Sequence, residues 1–118
     1  MSAPNIESFE TLDSLKSLLG NELKPILVSY CYQTPRTLTK LKRAVKTGDL
    51  EKIQNLAHLL KGSSSNLGFV KFSNDCNQLE QAAKNQADFI ELEALNSQLI
   101  KDEESINARI EEFIIENF

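Results

Sequence analysis

The chain has few residues of the kinds that bind metals or break helices. Its 118 residues include one histidine, two cysteines, three prolines and four glycines. The cysteines, Cys31 and Cys76, lie far apart in the sequence and form no C-x-x-C pair. With a single histidine they cannot supply the four ligands of a structural zinc site. We therefore predict no metal site in this chain and expect both cysteines to be reduced thiols in core positions.

The chain also has no excess of positive charge and no long apolar run. Its net charge is −4, which argues against binding to nucleic acid or to an anionic membrane surface. No apolar run approaches the ~20 residues that span a bilayer. The first ten residues, MSAPNIESFE, have no lysine, arginine or apolar stretch typical of a secretory signal. We therefore expect a cytoplasmic protein.

Apolar residues recur at intervals of three and four along most of the chain, which predicts helices and no strands. The length is that of a single domain. We predict a flexible segment at residues 1–7 and a helical domain at residues 8–118. The predicted fold is all-α, an antiparallel four-helix bundle with a short additional N-terminal helix.

Capping and helix-breaking residues set the predicted helix boundaries. The short first helix covers residues 8–19 and ends at Gly20. The second begins near Asn21, and Pro35 predicts a kink or local break near residues 33–34. Asp49 is a good N-cap for the third helix, and the sequence NLG at 66–68 favours its end. In the long last helix, the polar run KDEES at 101–105 favours a bend or an interruption.

The single histidine, His58, lies in the sequence AHLLKGSSSNLGF at residues 57–69. The buried stripe predicted for this helix consists of Leu50, Ile53, Ala57 and Leu60. At about 100° per residue, His58 lies roughly 120° from the centre of that stripe. The imidazole should therefore face solvent or a partner protein. Five further residues project on the same side of the helix: Glu51, Gln54, Lys61, Gly62 and Ser65.

The residue types around His58 fit phosphoryl transfer. An exposed imidazole is largely neutral near pH 7, and the neutral ring is a nucleophile. Lys61, one turn further along, would offset the charge of a phosphoryl group. Glycine in a helix costs about 1 kcal/mol relative to alanine, which indicates that the missing side chain at Gly62 is useful. Gly62 and Ser65 would leave open surface for a second protein to approach.

The same stretch resembles the histidine-containing phosphotransfer (HPt) domains of multistep phosphorelays. With the sequence CNQLE at 76–80, the likeness extends from about residue 9 to about residue 90. The characteristic pattern of alanine–histidine, lysine–glycine, small residues and a later glycine is carried by Ala57, His58, Lys61, Gly62, Ser63, Ser64 and Gly68.

The resemblance implies a phosphocarrier. His58 would accept a phosphoryl group from the aspartyl phosphate of a receiver domain, on the ring nitrogen distal to the backbone, and pass it to another receiver aspartate. The implied partners are response-regulator receiver domains and a hybrid sensor kinase. The receiver would supply Mg²⁺, and this chain would bind no cofactor. Because the chain has no nucleotide-binding motif, we expect a phosphotransfer intermediate and not an autokinase or a turnover enzyme. We also expect the protein to be a monomer.

Two questions stay open from the sequence. Glu80 could orient the imidazole of His58, or it could simply pair with Lys84 four residues later on the same helix, and the helical spacing favours the second interpretation. The function also has alternatives. The chain could be a non-catalytic helical adaptor that docks receiver domains, or an HPt module of a larger sensor kinase.

Overall fold

The computed structural model of the chain describes residues 10–118, whose regular secondary structure is entirely helical. The predicted flexible segment 1–7 and the first two residues of the predicted first helix lie outside the described residues. A 3-10 turn at Gly20–Glu22 separates the first two helices. The helices are α1 (Glu10–Leu19), α2 (Leu23–Thr47), α3 (Leu50–Asn66), α4 (Val70–Lys84) and α5 (Phe89–Asn117).

The four long helices form a closed ring around one core. Helix α2 packs against α3 and α5, and α4 packs against the same two helices. The connections are short, so that consecutive helices run antiparallel. Helix α1 lies against the start of α2 and buries Leu12 completely. The predicted four-helix bundle with a short additional helix is confirmed.

The boundaries of α3, the helix that carries His58, are those expected from the sequence. The Asp49 carboxylate accepts a hydrogen bond from the Lys52 backbone N–H at 3.1 Å, as an N-cap does. The helix ends at Asn66, and Gly68 follows with a φ of 86°. Ile53, Ala57 and Leu60 are buried. The predicted inward stripe of α3 is therefore confirmed at these three residues, whereas Leu50, its fourth member, is only partly buried. The stripe fixes the outward direction of His58.

Helix α2 continues through Pro35 without interruption. Of the predicted kink or local break near residues 33–34, the break is therefore wrong and the kink stays a prediction. A proline inside a helix removes one N–H donor, but packing supports this helix on both sides of it. Thr34 and Leu38 are both buried. Tertiary packing of this face keeps the chain helical where local sequence alone favours a break.

The polar run at residues 101–105 does not interrupt α5, which extends from Phe89 to Asn117. Two features attach the run to the bundle. Glu103 points inward and is only 7% exposed, and Asp102 forms an ion pair with Lys71 of α4 at 2.8 Å. The predicted interruption is therefore wrong.

Both cysteines are free thiols, as predicted. Cys76 is buried in α4 and Cys31 is half-buried in α2. Burial raises the pKa of the Cys31 thiol to about 11 and that of Cys76 to about 12. Both therefore remain protonated near neutral pH.

None of the helices among residues 10–118 is long and apolar enough to cross a membrane.

Candidate functional site

His58 stands on the outer surface of α3, with 68% of its side chain exposed. Its neighbour Ala57 is fully buried and packs into the core. The orientation follows from the helical periodicity that the buried stripe sets. The prediction that the imidazole faces away from the core is confirmed.

A carboxylate from the neighbouring helix contacts the imidazole. Glu80 lies on α4, and only 7% of its side chain is exposed. Its Oε2 is 3.1 Å from His58 Nδ1, and its Oε1 is 2.9 Å from Lys61 Nζ. The buried carboxylate therefore bridges the histidine and the lysine that the sequence analysis singled out.

The pairing of Glu80 with Lys84, which the sequence favoured, is the longest of the three contacts. Lys84 Nζ lies 3.8 Å from Glu80 Oε2. The sequence-based preference for Lys84 is thus corrected. Spacing within α4 points to Lys84, whereas the shorter contacts to His58 and Lys61 arise from the packing of α3 against α4.

The electrostatics of the cluster keep Glu80 ionised. Burial by itself would raise the pKa of this carboxyl. The hydrogen bond and charge of Lys61, with a further contribution from His58, outweigh burial and hold the pKa of Glu80 below its ordinary value of 4.5. Glu80 is therefore a carboxylate near neutral pH, and the cation beside it compensates its charge.

The ionised carboxylate decides which nitrogen of His58 carries the proton. A carboxylate can only accept hydrogen bonds, so Nδ1 must be the donor in the contact with Glu80. The neutral imidazole then has its lone pair on Nε2. Within residues 10–118 we find no hydrogen bond to Nε2. The nitrogen with the available lone pair is therefore the one distal to the backbone, which is the nitrogen that the resemblance implies as the phosphoryl acceptor.

Lys61 is held in place by a second residue of α4 that sequence reasoning missed. Its Nζ donates a hydrogen bond to Asn77 Oδ1 at 3.2 Å, and 30% of the lysine side chain is exposed. Asn77 precedes Glu80 by three residues and so shares its helix face. That spacing is the sequence signal that could have identified Asn77. Lys61 is therefore a fixed cation and not a freely moving surface lysine.

The surface beside His58 is open at Gly62. No heavy atom lies within 4 Å of the position that a Cβ would occupy there, so the glycine does not serve close packing between helices. Ser65 is exposed and Gln54 is half-buried, and both lie on the His58 side of α3 by helical geometry. The predicted clearing next to the imidazole is present at Gly62.

An apolar groove of about 600 Å³ lies between α2 and α3, on the far side of α3 from Glu80. Leu59, the residue after His58, lines its α3 wall, and Ile26 lines its α2 wall. These two side chains are 59% and 45% exposed. Exposed large apolar side chains that share a groove mark a surface for protein contact.

A sequence model of the Hpt domain family matches residues 25–112 of this chain. The chain belongs to the Hpt domain family. The match covers all of α3 and α4. It therefore includes the four residues that we call the His58 cluster: His58, Lys61, Asn77 and Glu80. The structure of this Hpt domain differs from the sequence-based expectation in the continuity of α2 and α5 and in the contacts of Glu80.

Proteins with related sequences belong to phosphorelays by name. Multistep phosphorelay regulator 1 of Schizosaccharomyces pombe is 37% identical over 57 residues, which are 48% of this chain and 19% of that protein. Phosphorelay intermediate protein YPD1 of Candida albicans is 31% identical over 70 residues, 59% of this chain and 36% of that protein. The matched region of this Hpt domain therefore spans well under two thirds of the length of either relative.

A solved structure has the same architecture over nearly the whole chain. Histidine-containing phosphotransfer protein B of Pseudomonas aeruginosa PAO1 superposes with a TM-score of 0.64 at 25% identity. The alignment covers 92% of this Hpt domain chain and 98% of that chain.

Proposed function

We propose that this Hpt domain is a phosphocarrier that accepts a phosphoryl group on His58 Nε2 from a receiver-domain aspartyl phosphate and passes it to another receiver aspartate. The observation that carries this proposal is the exposed imidazole whose Nδ1 contacts the buried Glu80 carboxylate. The contact leaves the lone pair on the nitrogen that faces outward. The phosphorelay names of the related proteins support the same function.

In the transfer step, the lone pair of Nε2 attacks the phosphorus atom of the aspartyl phosphate. The P–Nε2 bond forms, the bond between phosphorus and the aspartate oxygen breaks, and the aspartate leaves as a carboxylate. The ring keeps its Nδ1 proton and becomes cationic. Glu80 accepts that proton's hydrogen bond throughout, and its negative charge stabilises the cationic ring. Return transfer to a second aspartate reverses these bonds.

Lys61 and Gly62 would have separate roles in this step. Lys61 lies one turn from His58 with its ammonium at the edge of the clearing, and its charge would stabilise the incoming phosphoryl oxygens. Gly62 leaves room for the partner backbone, with Ser65 and Gln54 at the two ends of the clearing. Glu80 acts through the imidazole and is therefore a positioning residue.

The receiver domain would dock across the outer face of α2 and α3. Gly62 follows Leu59 by three residues on α3, so helical geometry puts the clearing beside the α3 wall of the apolar groove. A receiver seated there would bury the exposed apolar side chains and bring its phosphoryl group to Nε2. Mg²⁺, held by carboxylates of the receiver, would neutralise the phosphate during transfer. A hybrid sensor kinase upstream, a monomeric state and a cytoplasmic location complete the proposal.

The test follows radiolabelled phosphate from a phosphorylated receiver domain, with Mg²⁺, to the wild-type chain and to the His58→Gln variant. We expect label on the wild type that is stable to alkali and labile to acid, and that a second receiver can remove. The variant should stay unlabelled. Circular dichroism and thermal unfolding provide the check that the exposed substitution leaves the bundle folded.

Equal labelling of both proteins would contradict the phosphocarrier proposal. Receiver binding without label on either protein would instead favour the adaptor alternative. In that case the His58→Gln variant should retain full signalling activity, whereas a phosphocarrier should lose it.

A further inference from the structure

Positive charge is concentrated on α2, although the chain as a whole is acidic. The net charge is −4, yet no aspartate or glutamate occurs between Leu23 and Thr47. The same helix has six basic residues, all exposed: Lys24, Arg36, Lys40, Lys42, Arg43 and Lys46. The charge of this helix therefore has the opposite sign to that of the rest of the chain.

Three of these residues form a continuous row, which we call the basic row: Arg36, Lys40 and Arg43. They are spaced by four and three residues and so lie side by side on the helix surface. Among residues 10–118, no ion pair involves any of the three. Arg36 lies over the ring of Tyr32 at 3.4 Å and donates to its backbone oxygen, and both of these partners are uncharged.

Like charges at this spacing destabilise a helix slightly. By contrast, lysines on α3 and α4 pair with buried or half-buried carboxylates: Lys61 with Glu80, and Lys71 with Asp102. No acidic side chain in the described part of the chain, residues 10–118, forms an ion pair with the basic row. A row of uncompensated charges that weakens its own helix is explained most simply by an acidic partner that binds there.

The basic row lies along the rim of the α2–α3 groove. Gln33 and Thr37 line the groove from α2. Lys40 follows them by seven and three residues, which puts it on the same side of the helix. Leu59, directly after His58, lines the opposite wall. A partner surface of standard size, roughly 30 Å across, would cover both the basic row and His58.

We propose that the basic row attracts and orients the receiver domain, so that the receiver approaches with its acidic phosphorylation pocket towards His58. This inference rests on the proposed function. The aspartyl phosphate and the carboxylates that hold Mg²⁺ make that pocket the most negative part of the receiver. The net negative charge of this Hpt domain would repel that pocket at long range. The basic row supplies a local field of the opposite sign next to the docking groove, which speeds association and selects receivers with an acidic docking face.

The test compares two triple variants that remove the same charge from the full chain. One variant combines Arg36→Gln, Lys40→Gln and Arg43→Gln. The control combines Lys42→Gln and Lys46→Gln, which face the groove between α2 and α5, with Lys101→Gln on α5. The association rate constants of a panel of unphosphorylated receiver domains are measured by stopped flow at about 50 mM and about 500 mM salt.

We expect the basic-row variant to lower the association rate constant about fivefold or more at low salt, and the difference to disappear at high salt. The control should change the rate constant less than about twofold. Phosphoryl transfer within the formed complex should be unchanged. The Lys40→Gln/Arg43→Gln variant, which keeps the Arg36–Tyr32 contacts, should give an intermediate effect.

Equal effects of the two triple variants would overturn the proposal, because net charge alone would then explain them. The proposal would also be overturned if the basic-row variant left the association rate constants unchanged, or if no receiver domain bound to the chain. Loss of binding to duplex DNA or to anionic phosphatidylserine vesicles, with receiver association unchanged, would assign the row to another partner. The proposed function fails separately, when receivers associate as expected but His58 stays unlabelled.

Discussion

At the scale of single residues, Glu80 determines which nitrogen of the neutral, exposed histidine carries the proton. It comes from a different helix, is almost fully buried, and holds His58 and Lys61 through its two oxygens. Its negative charge selects the Nδ1-protonated ring and would stabilise that ring after phosphorylation. Replacing it by glutamine keeps the shape of the side chain and removes the charge.

We predict that Glu80→Gln slows phosphoryl transfer to His58 about tenfold, which corresponds to 1.4 kcal/mol in the barrier. The neutral amide stabilises the cationic ring less well, and it can present its NH₂ group to Nδ1 and thereby favour the other tautomer. The measurement is the transfer rate at saturating receiver. Lys84→Gln is the matched control, because it removes only the long contact at 3.8 Å. A tenfold loss in the control, or none in Glu80→Gln, would contradict the assignment.

The same variant should lose stability in a pH-dependent way. Because the pKa of Glu80 is lowered in the fold, its ionisation stabilises the native state above the unfolded-state pKa near 4.5. That stabilisation is lost as the pH falls through the lower folded pKa. We expect Glu80→Gln to unfold more easily by about 1 kcal/mol at pH 7, with the difference shrinking below about pH 4.5. Urea unfolding between about pH 3 and pH 7 measures the free energy of unfolding of both proteins. A difference between them that stays constant over this range would show that the ionisation of Glu80 is not its cause.

The sequence predicted His58 and its exposed direction because both depend on one helix. The buried stripe of α3 sets the orientation of every residue on that helix. The contacts of Glu80 and Asn77 depend instead on the distance and rotation between two helices. Intrahelical spacing therefore pointed to Lys84, and only the packing of α3 on α4 revealed the pairing with His58 and Lys61.

At the scale of helices, the end of α3 sets the position of the next helix and supports α1. Gly68 has a φ of 86°, and its Cα faces the side chain of Thr11 on α1. A Cβ at this position would overlap the Thr11 side chain. The glycine is therefore needed both for the turn and for the close approach of α1.

We predict that Gly68→Ala destabilises the fold by about 2–3 kcal/mol, from the left-handed backbone and the collision with Thr11. Gly48→Ala is the matched control. Gly48 also has a positive φ, of 71°, but has no heavy atom within 4 Å of a built Cβ. It should cost only about 1 kcal/mol. Equal losses in chemical denaturation would show that α1 moves aside without cost.

Helix boundaries were predictable where a local signal determines them, and not where packing overrides it. Asp49 caps α3 through a bond within one turn, so the sequence was sufficient. Pro35 removes one donor, but the buried neighbours Thr34 and Leu38 keep α2 helical. In the same way, the buried residues Leu99 and Ile106 on either side of the polar run, and the ion pair of Asp102, keep α5 continuous.

At the scale of the whole molecule, the bundle tolerates a buried carboxyl group that is unfavourable to ionise. Glu103 of α5 is buried, and burial, together with the nearby charge of Glu104, raises its pKa above the ordinary value. Its ionisation therefore opposes folding. The penalty is absent below the unfolded-state pKa near 4.5 and grows as the pH rises through the folded pKa.

We predict that Glu103→Gln stabilises the chain by about 1 kcal/mol at pH 7, because an amide avoids the cost of burying a charge. The gain should vanish near pH 4. Glu104→Gln has the same change in net charge at an exposed position, and should shift stability by less than about 0.5 kcal/mol. Thermal unfolding at both pH values measures the two variants. A stabilisation of Glu103→Gln that is independent of pH would exclude ionisation as its cause.

All residues of the His58 cluster come from the α3–α4 hairpin. His58, Lys61, Asn77 and Glu80 contact one another within that single supersecondary unit, whereas the basic row belongs to α2. In the proposed mechanism, the residues that support the reaction therefore lie on α3 and α4, whereas the residues that attract the partner electrostatically lie on α2. Substitutions on the outer side of α2 would then change which receiver domains bind, while His58 and the residues that contact it stay the same.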